Sequence, residues 1–119
     1  MIYIGTDIVP ISRIENLIKV KGNRFLNHIF TDYEQRICNA KSIIYIHYSG
    51  KYAAKEAVKK ALLSSKLLKN ISLKSIEVQN DNSGVPIINI SSKDINIGNI
   101  NISISHAGEY AIAMAILEL

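Results

Sequence analysis

Glu56 lies in the stretch KYAAKEAVKKAL, Lys51 to Leu62, as the only carboxylate among four lysines. On a helix, at about 100° per residue, Ala54, Ala57, Val58 and Ala61 share the face expected to meet a core, while Glu56 and Lys60 fall together on a flank of the other face. Such a pair can be an ordinary surface ion pair, with the acid one turn before the base, worth about 0.2–0.5 kcal/mol. It can also be an acid and a cation set beside small alanines, with room for a ligand to lie against the helix.

Asp7 is the second unusual acid, since it sits between the β-prone MIYIG and the apolar Ile8 and Val9, where an ionised carboxylate needs a partner or water. It can cap a following helix. Alternatively Asp7 and Glu56 can share a hard divalent cation, because Mg²⁺ takes one or two carboxylates plus waters and substrate phosphates. His106 ends the run NISISH beside a glycine turn, placed either for structure or for acid-base or phosphate contact. His28 and His47 look incidental. Cys38, the only cysteine, excludes an intramolecular disulfide and reads as a packing residue in a reducing compartment. The sequence holds no metal-type His/Cys cluster, Gly-rich phosphate loop, nucleophile elbow or nucleic-acid motif.

These side chains need elements to position them. MIYIG reads as a strand with Asp7 at its C-terminal end, and the chain then enters a helix, with Ser12 and Glu15 as a capping-box pattern and Ile11, Ile14, Leu17 and Ile18 at helical spacing. KGNRF breaks that pattern, and Thr31 with Glu34 restarts it as a second capping box. From Ser42 to Ser65 the period is about 3.6, predicting one long helix or two that abut at Gly50. Period-two alternation then takes over in LKSIEVQ and VPIINI, a hairpin around NDNSG. SSKDINIGN is a connector, and INISISH and AGEYAIAMAIL are strands around a turn at Ala107-Gly108. This order predicts a single α+β domain over 1–119, with helices packed on a mainly antiparallel sheet.

Composition agrees with that size. A chain of 119 residues, 48% hydrophobic and 20% charged, buries about 60–70% of its unfolded surface as one globular domain. A net charge of +4 favours anionic partners without choosing among them. There is no basic leader with a cleavage site, and no apolar run approaches the ~20 residues of a membrane span. The expectation is a cytoplasmic protein that does not engage a membrane.

The blocks GTDIVPISRI, RFLNHIFTDYE, GKYAAKEAVKKAL, IEVQNDNSGVP and SISHAGEYAIA follow one another over nearly the whole chain. Together they resemble the small bacterial holo-acyl-carrier-protein synthases, whose pattern is roughly G-x-D-[IV], F-A-A-K-E-A, N-G-x-P and S-[IV]-[ST]-H. The resemblance implies the 4'-phosphopantetheinyl transferase fold. It also implies Mg²⁺-dependent transfer of the phosphopantetheine arm of coenzyme A to a serine of an acidic apo acyl carrier protein, for fatty acid biosynthesis, by a homotrimer with active sites at subunit interfaces. It assigns Asp7 and Glu56 to the metal, Glu56 also to proton removal through water, and Lys60 to the phosphates. It implies coenzyme A contacts by Lys51, Lys60, Gly84, Pro86 and His106, and carrier-protein docking by Arg13, Lys21 and Arg24. The chain departs from the pattern at Pro10 in place of an acid, Lys51 in place of Arg, Tyr52 in place of Phe, and Ser83 in place of Asn; LLSSKLLKN replaces the glycine-rich turn after the central helix.

Two rival readings follow from the residues. One is a non-catalytic basic module that binds nucleic acid or an acidic protein, with affinity falling steeply in salt. The other is an interaction protein that keeps the fold without turnover. Metal-dependent binding of coenzyme A separates these two, and turnover separates the second from an enzyme.

Overall fold

The computed structural model describes residues 1–91 and 97–119. Strand β1 (Ile2–Pro10) leads into four helices, α1 (Ile11–Lys21), α2 (Asn23–Ile29), α3 (Asp32–Asn39) and α4 (Ile44–Ser65). A 3₁₀ turn at Leu73–Ser75 precedes the hairpin of β2 (Ile76–Asn80) and β3 (Pro86–Ile90), and β4 (Asn99–Ala107) and β5 (Tyr110–Glu118) follow. Among the described residues every strand pair is antiparallel, with β1-β5-β4 in one sheet and β2-β3 in another. The α+β class is as expected, with the strands divided between two sheets. The expected connector SSKDINIGN lies largely outside the described residues, at 92–96.

The main correction concerns Asp7. It does not end a strand or cap a helix: it sits inside β1 opposite Ala113, and the strand continues through Val9 opposite Ala111. Tyr3, Gly5, Asp7 and Val9 alternate inward along β1, and this period-two pattern overrides the local turn signal. Helix α1 starts only after Pro10 and has no side-chain cap, so the Ser12–Glu15 box does not form. Instead the free N–H of Ile11 donates to the Glu109 carbonyl at 2.8 Å, which satisfies one of the donors every helix start leaves open. The β4–β5 turn is Gly108-Glu109, one residue later than expected, because Ala107 pairs with Tyr110. The break at Gly22 separates α1 from a second helix, α2, that the sequence pattern hid. The second capping box is present: Glu34 N–H donates to Thr31 Oγ1 at 3.2 Å and Thr31 N–H to Glu34 Oε1 at 2.9 Å.

Helix α4 runs unbroken through Gly50 for 22 residues. Ala54, Ala57, Val58 and Ala61 are buried, as their common face requires. They are small because β1 crosses them closely: a Cβ on Gly5 would lie 1.8 Å from the Ala57 carbonyl oxygen. Only a hydrogen fits there. Asp7, two residues on and on the same strand face, is thereby held against the next turn of α4. Val9, Ile14, Leu62 and Leu117 pack around this crossing, and Phe30 meets Tyr48 edge-on with ring centroids 4.9 Å apart.

Candidate active site

Lys60 reaches from α4 across to β1, where its Nζ donates to the Thr6 carbonyl at 2.9 Å and to Asp7 Oδ1 at 3.3 Å. The cation of Lys60 therefore goes to Asp7 and not to Glu56, the partner that helical spacing allows. Asp7 is the sheltered member, with its side chain 17% exposed against 54% for Lys60. Glu56 is half-buried on the same flank of α4. Burial pushes the Tyr52 phenol above its usual range, the Glu56 carboxylate pushes it further, the Arg13 guanidinium opposes them, and Asp7 adds to the rise. Glu56 and Lys60 lie one turn apart on one flank of α4, and Lys60 links that flank to Asp7 on β1.

The donor set at that spot suits Mg²⁺. Asp7 and Glu56 come from different elements and offer only carboxylate oxygens, the ligand type of a hard cation. Among the described residues no group of three His, Cys, Asp or Glu converges to hold a metal. A cation at Asp7 and Glu56 would therefore complete its shell with water or substrate phosphates, which is the habit of Mg²⁺.

Lys51, Gly84, Pro86 and His106 come together elsewhere, around a cavity of about 410 Å³. Tyr33, Lys41 and His47 also line it, and the sequence reading did not select them. His47 could have been found from its spacing, since it precedes Lys51 by one helical turn on α4. Burial lowers the His47 imidazole below its usual range, and the charges of Lys41, Lys51 and His106 act in the same direction. The cavity thus sets basic groups against an apolar wall of Ile37, Ile46 and Ile104, a lining for an anionic ligand with a flat or apolar body. Lys51 is buried and its Nζ donates to the Val78 carbonyl at 3.3 Å, so part of its hydrogen-bonding capacity is already committed.

The turn that carries Gly84 lacks the Asn of the N-G-x-P pattern and is organised by Asp81 instead. Asp81 Oδ1 accepts from the Ser83 hydroxyl at 2.7 Å, the Ser83 N–H at 2.8 Å and the Val85 N–H at 3.0 Å, and Asn80 Nδ2 donates to the Gly84 carbonyl at 3.0 Å. Gly84 has φ 87°, a left-handed conformation that glycine adopts without steric cost.

The residues read as a docking surface divide. Lys21 and Arg24 flank a cleft of about 280 Å³ with Phe25 and His28, and Arg13 does not line it. His28, like His47, belongs to a lined depression. Lys51 and Glu56 are five residues apart on α4, about 140° around its axis. The carboxylate cluster and the basic cavity therefore occupy different sides of one helix.

Residues 3–115 match the profile of the 4'-phosphopantetheinyl transferase superfamily. The holo-[acyl-carrier-protein] synthase of Clostridium botulinum (strain Eklund 17B / Type B) is 45% identical over 121 residues, spanning 98% of this chain and 96% of that protein. The structure of Helicobacter pylori holo-[acyl-carrier-protein] synthase in complex with coenzyme A superposes with a TM-score of 0.84 at 32% identity, over 97% of this chain and 99% of that one. The Neisseria meningitidis enzyme gives 0.86 at 27% identity, over 100% of both chains. This chain belongs to the 4'-phosphopantetheinyl transferase superfamily, and its relatives over nearly their whole length are holo-acyl-carrier-protein synthases.

Proposed function

We propose that this chain transfers the 4'-phosphopantetheine arm of coenzyme A to a serine of an acidic apo acyl carrier protein, with Mg²⁺, in fatty acid biosynthesis in the cytoplasm. The observation that carries this reading is the Lys60–Asp7 ion pair across the β1–α4 crossing, with Glu56 one turn before Lys60 on the same flank of α4. Mg²⁺, when bound by the two carboxylates, neutralises charge on the pyrophosphate. Glu56 takes the serine proton through a water as the serine oxygen bonds to the phosphorus of the arm. The bond from that phosphorus to the oxygen of adenosine 3',5'-bisphosphate breaks, and Lys60 stabilises the charge on the departing phosphate. Lys51, Gly84, Pro86 and His106 bind the nucleotide end in the basic cavity. Lys21, Arg24 and Arg13 steer the acidic carrier protein.

The two clusters lie on different sides of α4, which favours an active site assembled from neighbouring copies in a homotrimer. The sheet face away from α4 supports this. Ile8 and Ile112 pair across β1 and β5, and with Ile4 and Met114 they are exposed, an apolar patch of the kind that subunit contacts cover. Free Cys38 is in keeping with a reducing cytoplasm.

The test is incubation with apo acyl carrier protein, coenzyme A and Mg²⁺, followed by mass spectrometry of the carrier. The expected result is gain of the phosphopantetheine mass, lost with chelator and in the folded Glu56→Gln variant. An unmodified carrier that a known synthase can still modify, or full activity in Glu56→Gln, would overturn the reading.

A further inference from the structure

Among the described residues β2 pairs with β3 alone, along one edge. Its register sets Glu77 opposite Asn89 and Gln79 opposite Ile87, and on either side Ser91 N–H donates to the Ser75 carbonyl at 3.1 Å and Asp81 N–H to the Val85 carbonyl at 2.9 Å. The odd-numbered residues thus face β3, and the backbone groups of Ile76 and Val78 point to the helices. Both residues are buried, so those groups need partners. The Ile76 N–H turns back to the Leu73 carbonyl, and side chains supply the others, with Lys51 Nζ donating to the Val78 carbonyl at 3.3 Å. Lys55 Nζ donates to the Ile76 carbonyl at 2.8 Å and the Leu73 carbonyl at 3.1 Å, and Val78 N–H donates to Glu34 Oε2 at 2.8 Å. Lys55 Nζ and Glu34 Oε1 close an ion pair at 2.5 Å with both side chains 0% exposed. All three protons of the ammonium group are used.

A buried ion pair is weak as a source of stability, because apolar residues of similar volume often serve as well. Its value here lies in what it joins. Lys55 adjoins Glu56 in α4, and β2 leads to the turn with Gly84 and Pro86 and contributes Val78 to the cavity wall. Glu34 and Lys55 themselves line neither the cavity nor the carboxylate cluster. We propose that Glu34–Lys55 is a positioning pair that seats the β2–β3 hairpin on α4 and so sets the shape of the coenzyme A cavity, governing affinity for coenzyme A and not the transfer step. This rests on the function proposed above.

The test uses the double variant Glu34→Leu/Lys55→Met, which removes both charges together, and a control, Leu117→Ala, chosen for a similar loss of Tm at a site remote from the hairpin. KM for coenzyme A should rise about tenfold or more in the double variant, as misplacement of a binding wall does, with kcat within about threefold. The control should leave KM unchanged. An unchanged KM in the double variant, an equal rise in the control, or a fall in kcat alone would overturn the proposal. Hydrogen exchange on the unsubstituted chain gives a second arm that needs no variant to fold. Val78 N–H, which donates to Glu34 Oε2 in place of a strand carbonyl, should exchange as slowly as Gln79 N–H, and fast exchange would overturn the proposal. Absence of transfer by the unsubstituted chain strikes the proposed function instead, and the exchange result stands apart from it.

Discussion

Lys60 holds Asp7 Oδ1 at 3.3 Å across the gap between α4 and β1, and so ties together the two elements that carry Glu56 and Asp7, the acids of the proposed site. The Lys60 side chain is more than half exposed, so the bond contributes under about 1 kcal/mol to folding. Lys60→Ala should therefore unfold within about 1 kcal/mol of the unsubstituted chain, while kcat falls about 10²–10³-fold through loss of a group that stabilises developing charge. Urea unfolding and steady-state kinetics on the same preparation check the two halves.

Gly5→Ala should act in the opposite way, through the fold. The added Cβ meets a backbone oxygen, that of Ala57, so no rotamer change relieves the clash and β1 must move off α4. A loss of about 3 kcal/mol is expected, at the upper end of overpacking, visible as a lower urea midpoint. Transfer activity should fall in the folded fraction as well, because Asp7 moves with the strand.

The pattern of small residues in α4 and the carboxylate near the N-terminus were legible in the sequence, and so was the antiparallel character of the strands. Their meeting was not, because it depends on β1 pairing with β5 from the far end of the chain, which no local period encodes. The same long-range pairing extends β1 past Asp7 and defeats the Ser12–Glu15 capping signal, while the Thr31–Glu34 box, a purely local device, forms as read. Lys55 was indistinguishable in sequence from its half-buried neighbour Lys59, since its acid, Glu34, lies in another helix and its carbonyl partners lie beyond the end of α4. The neighbour of Lys60 was also out of reach: spacing along a helix offers Glu56, and the strand beside it supplies Asp7.

The turn of Gly84 should keep its shape to a lower pH than an unpartnered aspartate would allow. The Ser83 hydroxyl and the Val85 N–H keep the Asp81 carboxyl below its ordinary value of 3.8. A carboxylate whose folded pKa is depressed contributes fully above its unfolded value, and that contribution is lost as pH falls through the lower folded value. The movement of the Ser83 and Val85 amide resonances with falling pH should therefore be centred below 3.8. Movement centred above 3.8 would contradict the assigned hydrogen bonds, and Asp81→Ala should abolish the transition.

Placement of Glu56 and the basic cavity on different sides of α4 predicts rescue between inactive subunits. Glu56→Gln disables the carboxylate cluster and Lys51→Ala/His106→Ala disables the cavity, so each variant alone should be inactive. If a site takes Glu56 from one copy and the cavity from the next, random mixed assemblies contain sites that receive an intact half from each. Co-expressed at equal amounts, the two variants should recover about one quarter of the unsubstituted activity, the chance frequency of an intact site in a cyclic oligomer. A site housed within one chain would give no recovery. Adding Ile8→Lys/Ile112→Lys to both variants should end the rescue and reduce the assembly to monomers by light scattering, because charges then stand on the apolar face that Ile8 and Ile112 expose.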